Sequence, residues 1–364
     1  MTKVLIKGLG LIGSSLARAI RIQHPDVQIL GDDLNSASLD YAMQNQVIDQ
    51  VVAKWDQVAE MDVIILAGPV SQIIKDIQDL SHQSLKPGVL ITDVGSTKQT
   101  VMKAAQAFKD QTVNFIGGHP MAGSHKTGVW AGRANLFENA FYFQIPLNAA
   151  SAQQLTKLQD LLAATNAKWL QVTAPQHDKI VAQISHVPHV IASALVNQTE
   201  ATFQGDPLGM RLAAGGFKSI TRIASADPTM WSAILLNNPT MIKEQLHQFQ
   251  AELTTVEKWI EQGDQAAIFD FFKQAKVSRD QLGPDKVGAV PGQYDLFVNI
   301  ADQVGALADV TRRVSQAGLN LVNLHILEIR EEIDGILQLT FSTANDREQA
   351  RQVLRDYEII TKGE

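Results

Sequence analysis

His119 stands in Gly117-Gly-His-Pro-Met-Ala-Gly-Ser-His-Lys-Thr-Gly128, directly after a predicted strand at 114–116. An imidazole titrates near neutrality, so it is the side chain best suited to take a hydroxyl proton while hydride leaves the same carbon. A glycine-dense loop at a strand end is a common wall of an active site. Ser96, in Asp93-Val-Gly-Ser-Thr-Lys98, occupies the equivalent place after the preceding strand and is expected to share a hydrogen bond with that base. Arg222, flanked by Ile220, Ile223 and Ala224, suits planar two-point recognition of a carboxylate. Lys218 lies four residues earlier, on the same face if a helix runs there, and reads equally well as solvated charge. His186 and His189, three apart on a predicted helix, have a spacing that also suits metal ligands. No third ligand cluster accompanies them, so no metal is expected.

These groups oxidise an alcohol only beside a hydride acceptor, and the N-terminus supplies the signal for one. Gly8, Leu9, Gly10, Leu11, Ile12 and Gly13 form a G-x-G-x-x-G turn between a first strand and a helix, and Asp33 lies 20 positions after Gly13. In such a turn the first glycine permits the tight bend, the second lets the backbone approach a pyrophosphate, and the third lets helix pack on strand. The helix N-terminus adds unpaired N–H groups and positive potential. Asp33 is expected to accept from the adenosine ribose hydroxyls and to repel a 2′-phosphate, which favours NAD over NADP. Asp32 reads as a second acceptor or as a turn cap. No arginine follows in residues 34–39 to reverse the preference.

The elements that must position these residues follow from periodicity. Between residues 1 and 173 short apolar runs at 4–6, 27–30, 63–67, 89–92, 114–116 and 168–172 alternate with helical patterns. That order argues for an α/β, Rossmann-type domain with a parallel sheet flanked by helices. Residues 174–282 read as long helices, at 178–203, 228–237 and 240–262, forming an all-helical domain. Ile180, Val181, Ile184, Val187, Val190, Ile191 and Leu195 leave little of one helix polar. A helix apolar over most of its circumference is buried on several sides, by a homodimer interface or at the centre of a monomeric bundle. Residues 283–292, rich in glycine and proline, read as a linker. Residues 293–364 show a βαββαβ order that fits a ferredoxin-like sandwich and carry seven basic against twelve acidic residues.

Composition narrows the classes further. The 364 residues carry a formal net charge of −7, a sign that opposes general binding to nucleic acid or anionic lipid. No apolar run approaches the roughly 20 residues that span a bilayer, and the glycines at 8, 10 and 13 turn the N-terminus into a strand and turn rather than a signal peptide. The absence of cysteine excludes disulfides and thiol catalysis and suits a cytoplasmic location.

Taken in order, Gly8 to Ser14, Asp93 to Lys98, Gly118 to Gly123, Ser185 to His189 and Gly216 to Ala224 resemble prephenate and arogenate dehydrogenases over about 280 residues. Residues 293–364, with Val304 to Val310 and Ala317 to Val322, resemble an ACT regulatory domain. The resemblance implies oxidative decarboxylation of prephenate to 4-hydroxyphenylpyruvate with NAD, in tyrosine biosynthesis. It implies that His119 is the base, that Ser96 orients hydroxyl and base, that Arg222 holds a substrate carboxylate and that His189 contacts substrate from the helical domain. His186 is left as structural, and the helical domain is expected to form the dimer. Gly305, Ala306, Asn320 and Leu321 match the amino-acid site of ACT domains, which implies tyrosine as an effector. Some relatives carry acidic residues where this chain has His125 and Ser219, so an ionic gate to the arginine is not carried over. Arogenate dehydrogenase is the nearest alternative. A β-hydroxyacid dehydrogenase is disfavoured because Ile180 to Gln183 replace the expected lysine-asparagine pair around Lys179, and a sensor without turnover would not need His119, Ser96 and Arg222.

Overall fold

Eight strands form one sheet: β1 (Lys3–Lys7), β2 (Gln28–Asp32), β3 (Gln50–Val51), β4 (Val63–Leu66), β5 (Leu90–Asp93), β6 (Asn114–Pro120), β7 (Phe141–Pro146) and β8 (Lys168–Gln171), in spatial order β3-β2-β1-β4-β5-β6-β7-β8. The computed structural model describes residues 1–109, 112–123, 126–204, 209, 211–281, 294–301, 303–327 and 334–360. It divides into two units, Met1–Thr254 and Thr255–Glu364, with the division inside the Pro239–Gln262 helix. The expected linker at 283–292 lies outside the described residues, as does His125.

The central strands β1, β4 and β5 are apolar on both faces because helices cover both, as a parallel sheet requires. Val4, Ile6, Val63 and Ile65 face a core shared with Leu16 and Ile20 of α1 (Leu11–Gln23). Leu5, Ile64, Leu66 and Ile91 face the opposite core with Ile73 and Ile77 of α3 (Val70–Ser81). The sheet is mixed rather than parallel throughout. β7 runs antiparallel to β6, pairing Gly117 with Ile145 and His119 with Phe143. The ladder extends β6 through Pro120, so His119 stands on a strand and not on the expected loop.

After β8, Thr173 caps the next helix, α7 (Ala174–Val181), in a reciprocal capping box with Gln176. A π turn at Ala182–His186 then joins α7 to α8 (Val187–Thr202). Pro188 explains the interruption. A helix-interior proline has no N–H and its ring crowds the carbonyl four residues earlier, and a widened turn accommodates both. Together Ala174–Thr202 is long and apolar enough by length and composition to cross a membrane, a length no single apolar run in the sequence reaches. His177, Asp178 and His186 are nonetheless buried within it, where they meet loops of the sheet and neighbouring helices.

In the second unit, β9 (Tyr294–Ala301), β10 (Leu321–Leu327), β11 (Asp334–Phe341) and β12 (Ile359–Ile360) form an antiparallel sheet in the order β10-β11-β9-β12. Helices Ala306–Gln316 and Ala344–Val353 intervene, giving βαββαβ along the chain. Leu296, Val298, Val310, Val314, Leu337 and Leu339 share its core.

Candidate active site

The glycine turn has the local geometry a dinucleotide needs. Gly8 has φ +95°, and a Cβ there would sit 2.8 Å from the Ala67 carbonyl carbon. At Gly13 a Cβ would come within 1.9 Å of the Gly8 carbonyl oxygen, so only glycine lets α1 approach β1 this closely. Gly10 is different: open space surrounds its Cβ position. It is also the N-cap of α1, with no side chain capping the helix. The N-terminus of α1 thus has no capping side chain and no atom crowding Gly10, the arrangement that receives a phosphate. Asp33 Oδ2 accepts from Leu9 N at 2.6 Å and Oδ1 accepts from Asn35 N at 2.8 Å, fixing the carboxylate at the edge of the turn. Asp32, by contrast, is buried in an ion pair with Lys7. The donor set and the cradle fit NAD.

At the C-terminal end of β5 one buried carboxylate ties the loop that follows to the neighbouring strand β6. Asp93 Oδ2 accepts from Gly95 N at 2.8 Å and from Lys98 Nζ at 2.6 Å, while Oδ1 accepts from Gly118 N at 3.2 Å. Asp93 and Lys98 are both fully buried. Gly95 precedes Ser96 and Gly118 precedes His119, so this one side chain brings the two predicted reactive residues to adjacent strand ends. Gly118 is required there because a Cβ would lie 2.4 Å from the Asp93 carbonyl oxygen.

His119 does not bond to Ser96 as expected. Its Nδ1 lies 2.8 Å from His177 Nε2, and His177 Nδ1 lies 2.8 Å from Asp178 Oδ1. Asp178 also accepts from Lys98 N at 2.7 Å and Gln99 N at 2.8 Å, at the N-terminus of α4 (Gln99–Ala105). Ser96 is partly buried and has no hydrogen-bond partner among the described residues, leaving its hydroxyl for a ligand. Burial, aided by His177, Lys98 and His186, holds the His119 imidazole well below its ordinary pKa of 6.5.

His189 Nδ1 donates to the Ser185 carbonyl at 2.8 Å, and its ring stacks on Trp231 with centroids 3.7 Å apart. That leaves Nε2 as its acceptor nitrogen. His186 is buried, faces Trp231 edge-on and is pushed down to about 4 by burial. The two histidines thus have separate environments, and no metal-holding group of His, Cys, Asp and Glu occurs among the described residues. Arg222 opens the short 3-10 turn Arg222–Ser225, which packs against α8, and its side chain is exposed, as are Lys218 and Ser219. Sequence reasoning missed Asp93, Lys98, His177 and Asp178 as parts of the site.

A Rossmann-type sheet with an open glycine cradle after β1 and a histidine of lowered pKa near the C-terminal end of β6 defines an NAD-dependent oxidoreductase. Residues 16–171 match the family model described as prephenate dehydrogenase, nucleotide-binding domain, and residues 173–274 match prephenate dehydrogenase, dimerization domain. A prephenate dehydrogenase of Bacillus subtilis (strain 168) is 40% identical over 352 residues, which are 96% of this chain and 95% of that relative. The solved structure of prephenate dehydrogenase from A. aeolicus, in complex with hydroxyphenyl propionate and NAD+, is 27% identical with TM-score 0.70, covering 77% of this chain and 98% of its own. Synechocystis arogenate dehydrogenase is also 27% identical, with TM-score 0.68 over 77% of this chain and 99% of its own. The chain belongs to the prephenate dehydrogenase family, with a Rossmann-type nucleotide-binding domain followed by a helical dimerisation domain.

Proposed function

We propose that this enzyme converts prephenate to 4-hydroxyphenylpyruvate and carbon dioxide with NAD as oxidant. The observation that supports the assignment of residues is the Asp93 tie, whose carboxylate accepts from the amides of Gly95, which precedes Ser96, and Gly118, which precedes His119. Bound NAD supplies the acceptor for hydride from the ring carbon that bears the hydroxyl. His119 takes the hydroxyl proton, and Ser96 orients that hydroxyl. Loss of the ring carboxylate as carbon dioxide aromatises the ring, and His119 returns the proton to the phenolate oxygen. Arg222 holds a substrate carboxylate through its guanidinium fork, and His189, fixed by Ser185 and Trp231, contacts substrate from the helical side. Gly8 to Gly13 cradle the pyrophosphate and Asp33 holds the ribose.

The sequence division at 173/174, 282/283 and 292/293 remains our domain reading. The helical domain is read as the homodimer interface, supported by Ile184, Ile220 and Leu236, each more than 60% exposed in the single chain. The βαββαβ module, with the ferredoxin-like strand order, is read as an ACT domain. Gly305, in the left-handed region at φ +93°, Ala306, Asn320 and Leu321 are assigned to a tyrosine site in it. A cytoplasmic location accords with this biosynthetic role.

Replacing His119 by asparagine tests the assignment. Turnover of prephenate is expected to fall about 1,000-fold while the Kd for NAD stays within about twofold. Retention of near-wild-type turnover would remove His119 from the mechanism.

A further inference from the structure

Behind His119 a second imidazole and a carboxylate stand in series, out of reach of solvent. His177 and Asp178 are fully buried, and the His177 ring is edge-on to Phe143 with centroids 5.0 Å apart. We propose that Asp178 and His177 are positioning residues which lock His119 in its Nδ1–H tautomer and receive the charge of the proton that His119 accepts. The proposal rests on the proposed function only for the identity of the reaction.

The tautomers follow from donor counting. Asp178 faces two backbone N–H donors, from Lys98 and Gln99, besides the His177 ring. A carboxylate ringed by three donors is ionised and accepts only. Burial pushes the Asp178 pKa up, but the bonds from His177, Gln99 and Lys98 prevail and hold it below the ordinary carboxylate value. His177 therefore presents Nδ1–H to Asp178. Neutral His177 then has a bare Nε2, which accepts from His119, so His119 carries its proton on Nδ1. The remaining nitrogen of His119, Nε2, is the base.

The same series handles the proton during reaction. The hydroxyl proton binds His119 Nε2, and the His119 Nδ1 proton passes to His177 Nε2. The positive charge then sits on His177, whose Nδ1–H remains 2.8 Å from the Asp178 carboxylate. The reverse shifts return one proton to the phenolate oxygen, so none is gained or lost. The other charged or titratable groups facing this series are Lys98 and His186 at His119, and Lys98 and Asp93 at His177. Lys98 is itself neutralised by Asp93 at 2.6 Å. Asp178 is thus the carboxylate bonded to the relay, while Asp93 is committed to Lys98 and the Gly95 and Gly118 amides.

The test is ring-nitrogen NMR of the 15N-histidine-labelled full chain with NAD at neutral pH, assigned with the His119→Asn and His177→Gln variants. Both His119 and His177 are expected to read as Nδ1–H with a bare Nε2. In His177→Phe, kcat is expected to fall about 100-fold with the Kd for NAD within about twofold of wild type. His177→Gln, whose Oε1 can still accept from His119 Nδ1–H, is expected to recover most of that loss. A wild-type His119 protonated on Nε2 would overturn the proposal whatever the variants do. A His177→Phe enzyme that keeps wild-type kcat would overturn it as well. Failure of the wild type to form NADH from prephenate would instead reject the proposed reaction, and the tautomer reading would still stand or fall on the spectrum.

Discussion

The proposed role of His119 as a base requires that it be kept neutral. His119 is partly buried, and desolvation together with the nearby His177, Lys98 and His186 disfavours its charged form, so its pKa lies well below 6.5. A base with a depressed pKa stays unprotonated as pH falls through the ordinary histidine range. The acid limb of kcat/KM for prephenate is therefore expected below pH 6.5, with a flat profile from there to neutrality. A profile that halves at or above that pH would contradict the burial argument. Asp33 and Asp32 make the parallel point at the cofactor end. Adjacent and chemically identical, they differ because Lys7 occupies Asp32, while among the described residues Asp33 bonds backbone amides alone, which leaves lone pairs for the proposed ribose contact.

At the scale of elements, the site depends on two strand ends being tied together rather than on either loop alone. Asp93 is the last residue of β5, and its side chain reaches both its own loop and β6. Replacing it with asparagine removes the buried carboxylate that pairs with Lys98 and leaves that side chain the Thr97 carbonyl, and is expected to cost about 3–5 kcal/mol of stability, read as a lower midpoint of denaturant unfolding. An unchanged midpoint would show that the Asp93–Lys98 ion pair does not hold these two strand ends together. The strands bounded by turn chemistry, β1, β2, β4 and β5, were legible in the sequence, as was the glycine cradle, because each rests on a short local pattern. β7 was not, although Phe141-Tyr-Phe-Gln-Ile-Pro146 is rich in strand-forming residues, because the glycines before it suggested a long loop. Without β7 there was no reason to place His119 on a strand. His177 and Asp178 were illegible for a different reason: they lie 58 and 59 residues from His119, and only the fold makes them neighbours. The dipeptide's position just inside a capped helix was its one local signal.

For the whole molecule, two features look beyond the reacting centre. The helical domain carries apolar side chains such as Ile184, Ile220 and Leu236 on its surface, and the acidic βαββαβ module forms a core of its own in the second unit. The first bears on the proposed dimer and the second on the proposed effector site, so the full chain is the right object for any test of function. The most direct one is NADH formation by the purified full chain with NAD, given prephenate and then arogenate over a range of concentrations, with and without tyrosine. The account predicts a much larger kcat/KM for prephenate, lowered by tyrosine; a rate that tyrosine leaves unchanged at every substrate concentration would reject the effector role alone. Preference for arogenate, or no NADH from either substrate, would contradict the central claim.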